Sequence, residues 1–205
     1  MAWITLWPGI AVAEGPGWNL QPSESWLVVR LGPKPSGLFS GLAHPHVVRA
    51  VQFSGKLSLD PADLSTCALT LEIPVAGLRV DHPEDRKRAG LGGGPDADDQ
   101  KKITAHMRDE DQLYAASHPT IQFTSERCRK DGVIEGTLKI RGKSKKVIVP
   151  MKIESTETKV VAKGEFQLQH ADFGFEPYSA AFGTISNAEA LRFTIELVAE
   201  RVTRP

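Results

Sequence analysis

Leu191-Arg192-Phe193-Thr194-Ile195-Glu196-Leu197-Val198-Ala199-Glu200 is the stretch on which the fold turns. Its odd positions are apolar and its even positions mostly polar. That is the period of a strand with one face against a core and the other against water. A helix would space its apolar residues by three or four instead. The same alternation returns along the chain: Leu69, Leu71, Ile73 and Val75 are interleaved with Thr70, Glu72 and Pro74. Ile121 and Phe123 open another strand that ends at Cys128, and Arg129-Lys130-Asp131-Gly132 turns the chain into a strand from Val133 to Arg141. Asp-Gly between alternating runs predicts a type I′ hairpin, whose two central residues both need φ > 0.

A second reversal at Gly142-Lys143-Ser144 leads into Val147 to Glu154. Further strands are predicted at Trp26 to Leu31, at Val47 to Leu59 with a bulge at Gly55, and at Lys159 to Gln169. About eight strands joined largely as hairpins give an all-β, antiparallel barrel or sandwich. Asp81 to Lys102 departs from this pattern, being charged and carrying Gly90, Gly92-Gly93-Gly94 and Pro95. It reads as a long mobile excursion that buries no core. Asp98 to Met107 is predicted helical, with Ile103 and Met107 on one face. Asp109-Glu110-Asp111-Gln112 has capping-box spacing and predicts a second short helix ending before Pro119.

Length and charge bound the function. A chain of 205 residues fits one domain. With 40% hydrophobic and 24% charged residues it has the composition of a globular protein. A net charge of +0 argues against a nucleic-acid binder. No run approaches the roughly 20 apolar residues of a membrane-spanning helix. Met1 to Ala13 ends in Ala11-Val12-Ala13, a small-x-small pattern like a secretory cleavage site, but no cation precedes Arg30 and Pro8-Gly9 interrupts the apolar stretch. Residues 1–17 are therefore read as a truncated signal or a disordered tail. The expected location is periplasmic or secreted, and cytoplasmic if the stretch is no signal remnant.

The chemical motifs are weak. Asp172-Phe173-Gly174 spells a kinase metal-binding triplet without the catalytic loop or strand lysine, which excludes a kinase. Gly92-Gly93-Gly94-Pro95 is not followed by Gly-Lys-Ser/Thr and is no phosphate cradle. His44 and His46 project to one side of an extended segment, yet a metal site needs three or four ligands. Two polar residues at a strand start is the plainer reading, although a small periplasmic metal protein or enzyme using this pair is an alternative. No nucleophile-base-acid set stands out, so enzymatic activity has no positive support. Lys139, Arg141, Lys143, Lys145 and Lys146 cluster at one hairpin. They either form a solvated turn that guards strand edges or meet anionic head groups at a membrane or a ligand's pyrophosphate. Cys67 and Cys128 either bridge, if their Cα atoms come within about 7 Å, or act as small buried hydrophobes.

Several stretches together resemble the YceI-like family of polyisoprenoid-binding proteins. They are Phe53-Ser54-Gly55-Lys56-Leu57-Ser58-Leu59-Asp60-Pro61, the run Leu69 to Val75, and Ala116-Ser117-His118-Pro119-Thr120-Ile121-Gln122-Phe123. The hairpin Ile134 to Val147 and Asp172-Phe173-Gly174-Phe175 complete the set, and Ser25 to Val29 is similar to the family's first strand. The likeness covers roughly Trp18 to Arg201, so residues 18–201 form one lipid-binding barrel domain on this reading. It departs from the family at Gly32 to Gly41 and at Asp81 to Lys102.

The resemblance implies an extended, lipocalin-like, eight-stranded antiparallel barrel with one or two short helices before the strand at Ile121. It implies binding, storage or transport of an isoprenoid lipid in an apolar tunnel, with no catalytic group, no cofactor and at most transient contact with a membrane surface. Oligomeric state stays open, a dimer included. The apolar phase of each strand supplies the expected lining: Leu71, Ile73, Ile121, Phe123, Leu138, Phe166, Leu168, Phe193 and Ile195, with Phe53 and Phe173 nearby. Sequence alternation does not separate a hollow barrel from a filled one, and a filled β-sandwich acting as an interaction module is the remaining alternative.

Overall fold

The computed structural model describes residues 17–34, 44–180 and 185–202. The expected signal remnant therefore lies outside the described residues. So does most of the Gly/Pro-rich approach to His44.

Strands run in chain order as β1 (Gly17–Leu20), β2 (Trp26–Pro33), β3 (His46–Ala50), β4 (Ser54–Asp60), β5 (Asp63–Pro74) and β6 (Leu78–Val80). After two helices, α1 (Pro83–Arg88) and α2 (Ala97–Arg108), come β7 (Thr120–Cys128), β8 (Val133–Ile140), β9 (Lys143–Ser155), β10 (Lys159–Gln169), β11 (Ser179–Ala180) and β12 (Ile185–Arg201). All pairings are antiparallel, and β1 pairs both β4 and β12. The ring β1-β4-β5-β7-β8-β9-β10-β12 thereby closes into the expected eight-stranded barrel. Closure satisfies every edge of the ring, which an open sheet cannot do.

The long strand β12 makes this possible. One edge pairs β10 from Ala190 to Glu200. The other edge is shared: residues 199–201 hold β1, while Asn187 to Glu196 hold β2 across a register shift. From β2 the sheet continues through β3 to β6.

Several sequence expectations need correction. Val47 to Leu59 is two strands, because the chain turns a corner at residues 51–53, and the irregularity falls at Ser58/Asp60 rather than Gly55. The turn at Asp131-Gly132 is not type I′. Arg129 O accepts from Gly132 N at 3.0 Å and only Gly132 has φ > 0, which makes a three-residue loop with a left-handed glycine. The two-residue turn with both φ values positive sits instead at Arg141-Gly142 (φ 50° and 73°), between the paired residues Ile140 and Lys143.

The helix after Asp109 does not form, and residues 109–118 make successive turns. α2 is present as expected, capped by Asp96, whose carboxylate accepts from the N–H groups of Asp98 and Asp99.

The 81–102 segment is ordered, not a loose excursion. Asp81, just before α1, and Asp85 and Arg86 within it are buried. Asp81 accepts from Arg86 at 2.7 Å, from the Val47 N–H at 3.0 Å and from His46 Nδ1 at 2.5 Å. Arg86 also donates to the carbonyls of Gly93 and Pro45 at 2.8 Å each. Asp85 takes both Arg79 and Arg49. These charges are buried because they neutralise and hydrogen-bond one another, a compensation that composition alone does not register.

Candidate lipid tunnel

Inward-pointing residues of successive strands lie side by side around the barrel. Leu71 pairs with Phe123 and Ile73 with Ile121 across β5 and β7, and Phe123 in turn faces Leu138 of β8. On the opposite wall Phe166 and Phe193 are register partners, and their rings stack at 4.5 Å.

Two inward positions carry glycine instead of a side chain, which makes space for a neighbour. A Cβ at Gly136 would lie 2.7 Å from the Phe123 ring, and one at Gly164 would lie 2.3 Å from the Met151 sulfur. Bulky residues thus lie over the backbone of the next strand instead of filling the axis.

The outcome is a cavity of about 230 Å³. That exceeds the roughly 150 Å³ at which an aliphatic void stays dry and admits a benzene-sized guest. It touches residues of two separate apolar clusters. One contains Leu57, Leu59, Val160 and Leu197; the other contains Ile140, Val149, Phe175 and Leu191. On β12 it reaches from Leu191 to Leu197, on the order of 20 Å at strand spacing.

Leu71, Ile73, Ile121 and Phe123 border the cavity, as do Leu138, Phe166, Phe193 and Ile195. Leu168 of the expected lining does not, nor do Phe53 and Phe173 from its expected vicinity. Phe53 is buried in the corner between β3 and β4, Phe173 is wholly buried in the 3-10 turn His170–Phe173, and Leu168 packs against the cluster containing Phe173. All three add to the wall's packing.

Sequence reading missed Leu27 and Val29 of β2, Val149, Met151 and Ile153 of β9, and Leu197. Alternation marks Val149, Met151, Ile153 and Leu197 and would have found them, but Leu27 and Val29 lie in the unbroken apolar run Trp26 to Val29, which has no alternation to choose a face. Met107, Gln112 and Leu113 come from α2 and the turns beyond it, where no strand period exists to point at them.

Among the described residues bordering the cavity none carries a formal charge, and only Gln112 and His170 bring polar side chains. His170 is 1% exposed and its Nδ1–H donates to Glu189 O at 2.9 Å. Burial holds its pKa below the usual histidine range, although the Glu189 carbonyl works the other way. Burial therefore favours the neutral form of the ring.

The other candidates serve the frame. His46 is tied to Asp81, His44 is exposed, and no group of three metal-ligating side chains exists among the described residues. The basic hairpin is largely engaged with its own neighbours. Arg141 donates to the carbonyls of Gly174 and Glu110, Lys145 pairs with Asp172, and Lys146 pairs with Glu126. Cys67, at the cavity wall, is disulfide-bonded to Cys128 with their Cα atoms 5.7 Å apart. No helix among the described residues is long and apolar enough to cross a membrane.

Comparison with solved structures finds the same fold. BcnA of Burkholderia cenocepacia is 18% identical, with 88% of this chain and 99% of that one aligned at a TM-score of 0.63. A polyisoprenoid binding domain from Saccharophagus degradans, implicated in plant cell wall breakdown, is 13% identical over 90% of this chain and 98% of its own, at a TM-score of 0.61. The Campylobacter jejuni YceI protein is 17% identical over 76% and 85%, at 0.57. No curated protein matches the chain. The sequence model of the YceI-like domain matches residues 18–198, from the buried Trp18 of β1 almost to the end of β12. By that match, over a barrel closed by those same two strands, the chain belongs to the YceI-like family.

Proposed function

We propose that this protein binds, and stores or transports, a long-chain isoprenoid lipid of quinone or polyprenyl type, without catalysing a reaction. The observation that carries this reading is the uncharged wall running between the two apolar clusters of the barrel. A relative of the same fold is described as a polyisoprenoid binding domain. Partition supplies the affinity. Each CH₂ moved from water into such a wall gains about 0.8 kcal/mol, so a few isoprene units outweigh the cost of association.

The compartment we propose is the periplasm or the exterior. A bond between Cys67 and Cys128 persists where thiols are oxidised, and Ala11-Val12-Ala13 is a fitting cleavage pattern. Loading and release then involve transient contact with a membrane surface.

The test is organic extraction and native mass spectrometry of the protein purified from its own host. An isoprenoid adduct is the expected result. Recovery of no lipid, together with no uptake of quinone or polyprenyl compounds, would overturn the reading.

A further inference from the structure

Every strand of the ring has a partner on each side, but β9 and β10 share only part of their length. Their ladder runs from Ser155 opposite Val160 to Met151 opposite Gly164, and there it stops. Beyond it β10 continues along β12 to Gln169, while Lys143 to Pro150 of β9 stay paired with β8. The sequence supplies the cause. Thr156 N donates to Lys159 O at 2.8 Å, so by strand period the even-numbered residues of β9 turn their N–H groups towards β10. Lys152, opposite Lys163, is the last of them inside the ladder. Pro150 is next in the series and has no N–H to give.

The chain that follows β10 closes the gap. The 3-10 turn His170–Phe173 packs on β9, and Phe173, wholly buried, shares one apolar cluster with Val147 and Val149. A single carboxylate ties this turn to both strands. Asp172 accepts from Lys145 Nζ of β9 at 2.7 Å and from the Gln169 N–H of β10 at 2.9 Å. Lys145 is 44% exposed, and an ion pair that open to water is weak. Arg141 adds one more surface hydrogen bond, to Gly174 O at 3.0 Å. The ladder of β5 with β7 also ends early, at Thr70 opposite Thr124, but there the Cys67–Cys128 bond and the Ser125 hydroxyl on Leu69 N–H hold the strands together. The cavity reaches both sides of the β9–β10 gap: Val149 and Met151 border it from β9, Phe166 from β10, and His170 and Phe175 from the closing segment.

We propose that the lipid enters and leaves through the side of the barrel, between β9 and β10, with residues 170–175 as the gate and the Asp172–Lys145 pair as its latch. Opening there breaks no strand ladder. It uncovers Phe173, and the passing hydrocarbon covers that surface in turn. This inference rests on the tunnel reading above and adds the route by which the tunnel is filled.

The experiment measures release. Protein carrying Lys145→Cys and Asp172→Cys is loaded with geranylgeraniol. It is then either bridged with bismaleimidoethane or capped at both thiols with N-ethylmaleimide, and the lipid is drawn into excess methyl-β-cyclodextrin. Bridged protein should release it at least about tenfold more slowly than capped protein. Protein bridged before loading should take up none in the time that capped protein fills.

Equal release from the two would overturn the side gate and leave the tunnel standing. If the double variant does not fold, Lys145→Gln removes the ion pair and keeps Asp172 on the Gln169 N–H. Release should then quicken about two- to fivefold, and an unchanged rate would overturn the proposal. Failure of the unsubstituted protein to load at all would remove the tunnel reading and this inference with it.

Discussion

At Gly136 the side chain is a hydrogen atom, and the Thr124 carbonyl oxygen and the ring of Phe123 together occupy the space a larger residue would need. Gly136→Val should push that ring towards the axis and destabilise the fold by about 1–3 kcal/mol, the cost of overpacking. Urea denaturation checks this, and an unchanged midpoint would mean that the ring has room elsewhere. His170 gives a second residue-scale prediction. Its folded pKa is held below the ordinary 6.5 by burial, so the unfolded chain takes up the proton first. Stability is then complete above the unfolded value and falls as pH drops through the window below it. Thermal unfolding between pH 7.5 and 5 should show this loss in the native protein and less of it in His170→Phe. Strand phase made most of the wall legible: Leu71, Phe123 and Phe193 stand where alternation puts them. Phe53 and Phe173 were not legible, because a corner and a 3-10 turn have no period to project from. The role of His170 depends on a carbonyl 19 positions away in sequence, which no local pattern announces.

Elements differ in how openly they declare themselves. β10 runs from Lys159 to Gln169, with the limits its alternation predicts, and α2 follows its spacing. The 81–102 segment misled because charge is a guide to exposure only while charges are unpaired. Arg86 joins Asp81 to the carbonyls of Pro45, Gly92 and Gly93, and so fastens α1 and the glycine run to β3. Arg86→Ala should cost about 3–5 kcal/mol by stranding the buried Asp81. Hydrogen exchange across residues 82–95 should accelerate more than in the barrel; a uniform change would show that the segment has no separate anchor. Asp81 also sets an acid limit. Burial opposes its charge, but hydrogen bonds from His46, Val47 and Arg86 outweigh that and hold its pKa below the ordinary 3.8. Its contribution is therefore present above that value and is lost as pH falls through the lowered one.

The whole molecule is a ring whose seam is shared by β1 and β2 along one edge of β12. Hairpin signals anticipate the pairing of β7 with β8 and of β8 with β9. The identity of the closing strand could not be anticipated, since β1 is only Gly17–Leu20 and its pairings to β4 and β12 are long-range. One covalent link also spans the wall, between residues 61 apart. Replacing Cys67 and Cys128 with serine should cost about 2–5 kcal/mol, read as a lower denaturation midpoint. A midpoint that does not move would remove the bond from the account of stability.

The central claim is that the hollow takes up a hydrocarbon chain lengthwise, and affinity measured against chain length addresses it most directly. For prenols of one to five isoprene units, binding should tighten at least about tenfold per unit, then level off once the chain exceeds the roughly 20 Å that the strands enclose. Affinity that does not depend on length would contradict it.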